Sequence, residues 1–197
     1  MILAAGRSRR MRGRDKLMEP VAGQPLVQLQ ADRAIATGQP VFVTLPDLQH
    51  PRAVALQDRA LTLVPVPDAA EGIGASLRTA MTALPLCDAV LINLADMVGI
   101  ETEDLQRMLQ ARKDQPDALI WRGATAEGRP GHPILIDASL CPAFAALRGD
   151  TGGSAILQRH SDRTRLVPLV GDRAVLDLDT PEDWTAWRAR QVDQAGT

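Results

Sequence analysis

Short aliphatic and β-branched runs alternate with longer segments of helical period along nearly all of this 197-residue chain, and nothing else in it limits the fold as tightly. Strand-like runs cover 1–4, 40–45, 61–66, 89–94, 118–121, 132–136, 165–169 and 175–178. Helical patterns fall between them at 25–37, 51–58, 73–84, 101–114, 139–147, 154–160 and 181–190. This order predicts βαβ units, and so an α/β fold with a mostly parallel sheet and helices on both faces. The run Ala89-Val90-Leu91-Ile92-Asn93-Leu94 is almost continuously apolar, as suits a central strand covered on both sides. Thr180-Pro181-Glu182-Asp183 reads as a helix start, with Thr as N-cap, Pro at the first helical position and acids in the first turn. No linker divides the chain, so residues 1–192 are expected to form one domain and 193–197 a frayed tail. A domain of this size buries roughly 70% of its unfolded surface and needs no disulfide or zinc to fold.

Composition removes several classes of function. Apolar residues make up 45% and charged residues 23%, the balance of a folded chain and not of a disordered one. A net charge of −2 argues against general nucleic-acid binding. No apolar run approaches the roughly 20 residues of a membrane span. The apolar residues 1–5 run into Arg7-Ser8-Arg9-Arg10, whereas a secretory signal places its basic residues first. Cys87 and Cys141 lack zinc-type spacing and lie in apolar stretches, which predicts two buried, reduced thiols in a cytoplasmic protein. Neither nucleic acid nor membrane is an expected partner.

In open α/β sheets, ligands bind outside the carboxyl ends of the strands, so the residues just after each strand matter most. The first such loop stands out. Residues 1–24 hold six basic and two acidic side chains, a local charge of +4 in a chain of net −2. Gly6 lets the backbone approach a ligand, and the cations around it suit a polyphosphate. Lys16 adds to this: of 22 basic residues only Lys16 and Lys113 are lysines, so a Lys in this loop suggests a compact point charge at work. The P-loop pattern GxxxxGK[ST] and the dinucleotide pattern GxGxxG are both missing here. Asp96 closes the central strand, where a single carboxylate plus substrate phosphates can hold Mg²⁺, or where it can simply cap the next turn. Alternation puts Asp177 and Asp179 on one face of a strand end; for that pair, metal binding and local capping stay equally open.

Several motifs are similar to those of one known family. Leu3-Ala4-Ala5-Gly6-Arg7-Ser8-Arg9-Arg10-Met11, with Lys16 following, resembles the LAAGxSxRMG…K signature of the MobA-like nucleotidyltransferases. Gly72-Ile73-Gly74-Ala75-Ser76-Leu77 resembles the G-M-x-x-S-L segment of the molybdenum cofactor cytidylyltransferase branch. Leu94-Ala95-Asp96-Met97, Gly131-His132-Pro133, Leu147-Arg148-Gly149-Asp150-Thr151-Gly152-Gly153 and Asp177-Leu178-Asp179-Thr180-Pro181-Glu182-Asp183 follow in the family's order.

The resemblance implies a single Rossmann-like domain of the nucleotide-diphospho-sugar transferase type. It also implies a Mg²⁺-dependent reaction in which an acceptor phosphate attacks the α-phosphate of a nucleoside triphosphate and releases pyrophosphate. By the same resemblance Arg10, Lys16 and Asp96 are catalytic, and Asp96 and Asp179 hold the metal. Leu3, Ala4, Ala5, Gly6, Arg7, Ser8, Lys16, Gly72 and Ser76 would bind the nucleotide. His132 and Asp150 would lie near the acceptor; His132 also reads as an interior histidine bonded to backbone. The branch favours CTP as donor and molybdopterin as acceptor, with a molybdoenzyme or its maturation chaperone as partner. GTP, or a sugar or polyol phosphate, belongs to neighbouring branches, and a non-catalytic cofactor carrier is the rival from another class. The chain departs from the branch at Arg12-Gly13, which puts the loop glycine one residue late, at Val98 in place of Pro, and at Gly153-Ser154 in place of Ala-Arg. Its first strand, starting at Met1, is several residues shorter than usual.

Overall fold

The computed structural model describes residues 1–148 and 152–195, the side chains of 192–195 excepted. Strand β1 (Ile2–Leu3) leads into a long loop, then a small hairpin of β2 (Pro20–Val21) and β3 (Gln24–Pro25). Helix α1 (Leu26–Ile35), β4 (Phe42–Leu45), α2 (Pro51–Leu56), β5 (Thr62–Pro65), α3 (Ile73–Ala83), β6 (Ala89–Leu94) and α4 (Thr102–Asp114) follow. The chain ends with β7 (Ile120–Ala124), β8 (Pro130–Asp137), α5 (Cys141–Ala145), α6 (Ser154–Arg159), β9 (Thr164–Pro168) and α7 (Pro181–Ala195).

Among the described residues, seven strands form one sheet in the order β5-β4-β1-β6-β8-β7-β9. Strands β5, β4, β1 and β6 run parallel, β8 is antiparallel to both β6 and β7, and β9 runs parallel to β7. The mixed, mostly parallel sheet expected from the alternation is therefore present. Successive strand residues point to opposite faces, which is how the same strands serve two apolar layers. Ile2 packs with α1, α2 and Trp184 of α7, while its neighbour Leu3 packs with α3, α5 and α6. Leu135 and Trp121 build a third cluster with α4. Parallel pairing of β1 and β6 brings their carboxyl ends to one edge, and the residues after both strands meet there.

Three local expectations are corrected, and one element is new. Residues 175–178 are not a strand: Arg173–Val175 form a 3₁₀ turn, and 176–179 are irregular. The reason is close packing, because a Cβ on Gly131 of β8 would stand 1.8 Å from the Ala174 carbonyl oxygen. The turn's backbone lies against β8 instead of joining the sheet. The hairpin β2–β3 went unforeseen, and its Ala22-Gly23 turn has φ 50 and 82, the positive pair that a tight hairpin needs. Helix α7 runs to Ala195, beyond the expected helix end at 190. Cys87 is exposed in the loop before β6 and Cys141 is half-buried, so neither is the fully buried thiol expected. No helix among the described residues is long and apolar enough to cross a membrane.

Candidate active site

The loop after β1 is shaped by a residue outside every recognised motif. Arg52, on α2 and only 2% exposed, donates from Nη1 to the carbonyls of Ala4 and Gly6 at 2.5 and 2.7 Å. Its Nε and Nη2 grip both oxygens of Asp15 at 2.7 and 2.6 Å, and Nη2 also reaches Ser8 Oγ at 3.2 Å. Burial pushes the Asp15 carboxyl up, but the hydrogen bond and charge of Arg52 outweigh it and hold Asp15 below the usual carboxylate range. Asp15 in turn accepts from the Leu17 amide, and Ser8 Oγ from the Lys16 amide. Residue 8 adopts a left-handed conformation with φ 49.

Arg52 thus takes the carbonyls of Ala4 and Gly6, and the loop's amides are left outside the backbone network. Among the described residues, the N–H groups of Ala5, Gly6, Arg7 and Ser8 donate to nothing. Successive free amides beside a left-handed residue make an anion-binding concavity. Two cavities of about 310 and 480 Å³ open in front of it and share Leu3, Gly6, Arg7, Arg9 and Asp96. The first adds Ser8, Arg10, Lys16 and Asp179, and the second adds Ala5, Gly72 and Ser76. Gly72 has φ 109, a backbone region that side chains strain to adopt, and it opens α3 toward this cavity. Ala4 is the exception among the expected nucleotide residues. It lines neither cavity, its N–H donates to Thr44, and its carbonyl is taken by Arg52.

Three motifs distant in sequence converge across the cleft. Lys16 Nζ donates to Asp96 Oδ2 at 2.5 Å and to Asp179 Oδ1 at 2.7 Å, and Arg10 pairs with Asp179 Oδ2 at 2.8 Å. Burial alone would lower the Lys16 pKa; the charges and hydrogen bonds of the two carboxylates raise it above the ordinary lysine value. Asp177 sits beside Asp179. Burial and the neighbouring charge hold Asp177 above the usual range, while Lys16 and Arg10 overcome burial at Asp179 and hold that carboxyl low. The loop following Asp96 is fixed from α1: Gln30 donates to Met97 O, and Arg33 to Val98 O and Ile100 O. Val98, where the resembled branch has Pro, donates its N–H to Asp96 O at 2.9 Å, a bond that proline has no hydrogen to make.

The Asp96 side chain also tests whether these residues suit a divalent cation. Its Oδ1 is buried without a hydrogen-bond partner, next to carboxylate oxygens that already converge on a positive charge. Hard oxygen donors of this kind fit Mg²⁺ or Mn²⁺. No closed cluster of three or more His, Cys, Asp or Glu exists among the described residues, so substrate oxygens would complete the coordination. His132 of β8 is half-buried and lines neither cavity. Burial and then the charge of Arg122 lower its pKa to about 4, against an opposing pull from Asp96. Asp150, the other expected acceptor residue, lies outside the described residues.

A mostly parallel sheet with an anion-suited loop and carboxylates gathered at one edge is an arrangement that fits the nucleotidyltransferases as a class. More particularly, the chain belongs to the MobA-like NTP transferase domain family, whose model matches residues 1–164. Nicotine blue oxidoreductase of Paenarthrobacter nicotinovorans is 25% identical over 189 residues, covering 92% of each chain. Among solved structures, Rv0371c from Mycobacterium tuberculosis H37Rv is 27% identical with a TM-score of 0.77 over 94% of both chains. Its complex with manganese gives 24% identity and a TM-score of 0.76 over the same 94% shares. CMP:2-keto-3-deoxy-manno-octonic acid synthetase complexed with CTP shares 16% identity and a TM-score of 0.74, over 98% of this chain and 97% of that one, a likeness of fold.

Proposed function

We propose that the protein transfers a nucleoside monophosphate from a triphosphate, CTP by preference, to a phosphorylated small molecule of the molybdopterin type, releasing pyrophosphate. The observation that carries this reading is the first loop: four free amides, backed by Arg52 and facing Lys16, Asp96 and Asp179. In that reading the amides of 5–8 with Arg7, Arg9 and Arg10 hold the triphosphate and offset charge on the departing pyrophosphate. The acceptor's phosphate oxygen forms a bond to the α-phosphorus as the bond to the β-phosphate bridging oxygen breaks, and no covalent enzyme intermediate is needed. Asp96 and Asp179 would hold a divalent cation, Mg²⁺ in the cell, which supplies Lewis-acid stabilisation of phosphoryl charge. Positioning and electrostatics supply the rest of the acceleration. The manganese complex of Rv0371c and the CTP complex of the synthetase support a metal and a cytidine nucleotide. A cytoplasmic enzyme acting with a molybdoenzyme or its chaperone completes the proposal, with Gly72, Ser76 and Leu3 at the nucleoside and His132 and Asp150 toward the acceptor.

A thermal-shift series with CTP, GTP, UTP and ATP, with and without Mg²⁺, tests it. NADPH is the control ligand, because one relative bears an oxidoreductase name. A triphosphate at 100 times its Kd is expected to stabilise the fold by about 2.7 kcal/mol. Pyrophosphate release in the presence of molybdopterin then separates an enzyme from a carrier. Asp96→Asn is expected to keep the fold and lose roughly 10²–10³ in turnover. No shift with any triphosphate, or a shift with NADPH alone, overturns the reading.

A further inference from the structure

The two carboxylates that would hold a cation already hold one. Lys16 is 13% exposed on its side chain, and its ammonium bridges Asp96 Oδ2 and Asp179 Oδ1 at 2.5 and 2.7 Å. Arg10 takes the other oxygen of Asp179, so Asp96 Oδ1 is the oxygen of the pair left without a partner. A divalent cation shared by both carboxylates would find one free oxygen, Asp96 Oδ1, but would have to take any Asp179 oxygen from Lys16 or Arg10 and sit beside their charge. Asp96 and Asp179 are already balanced by Lys16 and Arg10, and Asp177 beside Asp179 adds at most one negative charge, so a divalent cation alone leaves the cluster net positive. A triphosphate reverses the balance. It brings several negative charges to the same cleft, and the flexible four-carbon stem of lysine lets the ammonium leave the carboxylates for phosphate oxygens.

We propose that Lys16 stands in for the metal in the ligand-free protein, and that ammonium and divalent cation exclude one another until a triphosphate draws Lys16 away. This rests on the nucleotidyltransferase reading and adds an order to it: the free protein binds a divalent cation weakly, and the nucleotide makes the metal site. Arg10 contributes less, because it is 71% exposed and touches one carboxylate, not two. The coupling is reciprocal: whatever factor the triphosphate adds to cation affinity, the cation adds to triphosphate affinity.

Binding of Mn²⁺ alone, followed by the EPR signal of the free ion, reads this out without turnover. Lys16→Met is expected to bind Mn²⁺ at least about tenfold more tightly than the wild type in the absence of nucleotide, a gain of about 1.4 kcal/mol. The same variant should bind inorganic tripolyphosphate more weakly without metal. Arg10→Met should raise Mn²⁺ affinity less. Lys16→Gln, which keeps a hydrogen-bonding head without the charge, is the second variant should Lys16→Met not fold, and is expected to behave alike. Unchanged or weaker Mn²⁺ binding in a folded Lys16 variant overturns the exclusion. If triphosphates still bind the wild type in that case, the nucleotidyltransferase reading survives; if none binds, that reading is what fails.

Discussion

One guanidinium makes five hydrogen bonds beneath the first loop, and Arg52 is where a single substitution should reach furthest. Breaking a buried ion pair from one side costs roughly 3–5 kcal/mol, and the partial exposure of Asp15 points to the lower end, about 3 kcal/mol. Arg52→Ala is expected to lower stability by that amount and to weaken triphosphate binding, since the carbonyls of Ala4 and Gly6 lose the donor that holds the loop in place. Urea unfolding and thermal shifts with CTP would measure both. Wild-type values in both would show that other contacts shape the loop. Arg52→Lys should be intermediate, because an ammonium cannot reproduce the planar fork on Asp15. Lys16 was legible as the lysine in an arginine-rich loop. Arg52 was not, being one of 20 arginines with no neighbouring motif, and burial leaves no mark in composition.

Elements met expectation where local rules fix them and departed where packing does. Helix α7 starts as foreseen, with Thr180 Oγ1 accepting from the Asp183 amide at 3.1 Å and Asp183 Oδ2 accepting from the Thr180 amide at 2.8 Å. Strand β6 matches its predicted limits because an apolar run between two helical segments has one reading. The segment 175–178 has strand composition and forms no strand, since the turn before it is pressed on β8. That contact yields a prediction at this scale. Gly131→Ala would place a methyl 1.8 Å from a backbone oxygen and 2.6 Å from its carbon, so the 173–175 turn must move. Overpacking of this kind typically costs 1–3 kcal/mol, and roughly the upper figure is expected where backbone is the obstacle. Asp177 and Asp179 follow that turn, so Mn²⁺-dependent triphosphate binding should fall with the Tm. A lowered Tm with unaltered binding would show that β8 does not position the acidic pair. Gly153 has a similar cause: a Cβ there would meet the Phe144 ring at 2.5 Å, which accounts for glycine where the resembled branch carries alanine.

For the whole molecule, His132 ties stability to pH. Its folded pKa is about 4 against an ordinary 6.5, so between those values the unfolded chain takes up a proton that the native state refuses. Stability is therefore expected to fall on acidification from pH 6.5 to about 4 and to level off below. Urea unfolding of the wild type and His132→Asn across that range isolates the contribution, because other groups cancel in the difference. Parallel curves would show that His132 titrates normally. The amino-acid sequence by itself determined the α/β class, the sheet edge at which the candidate residues gather, and the positive charge of the first loop. Those depend on period, propensity and charge within a few neighbouring residues. Only the tertiary structure decided that Arg52 backs the loop and that Lys16 lies between Asp96 and Asp179, partners 80 and 163 positions away. Such contacts are set by the strand order and by how α2, β6 and the segment before α7 pack at one edge, and no local pattern encodes that.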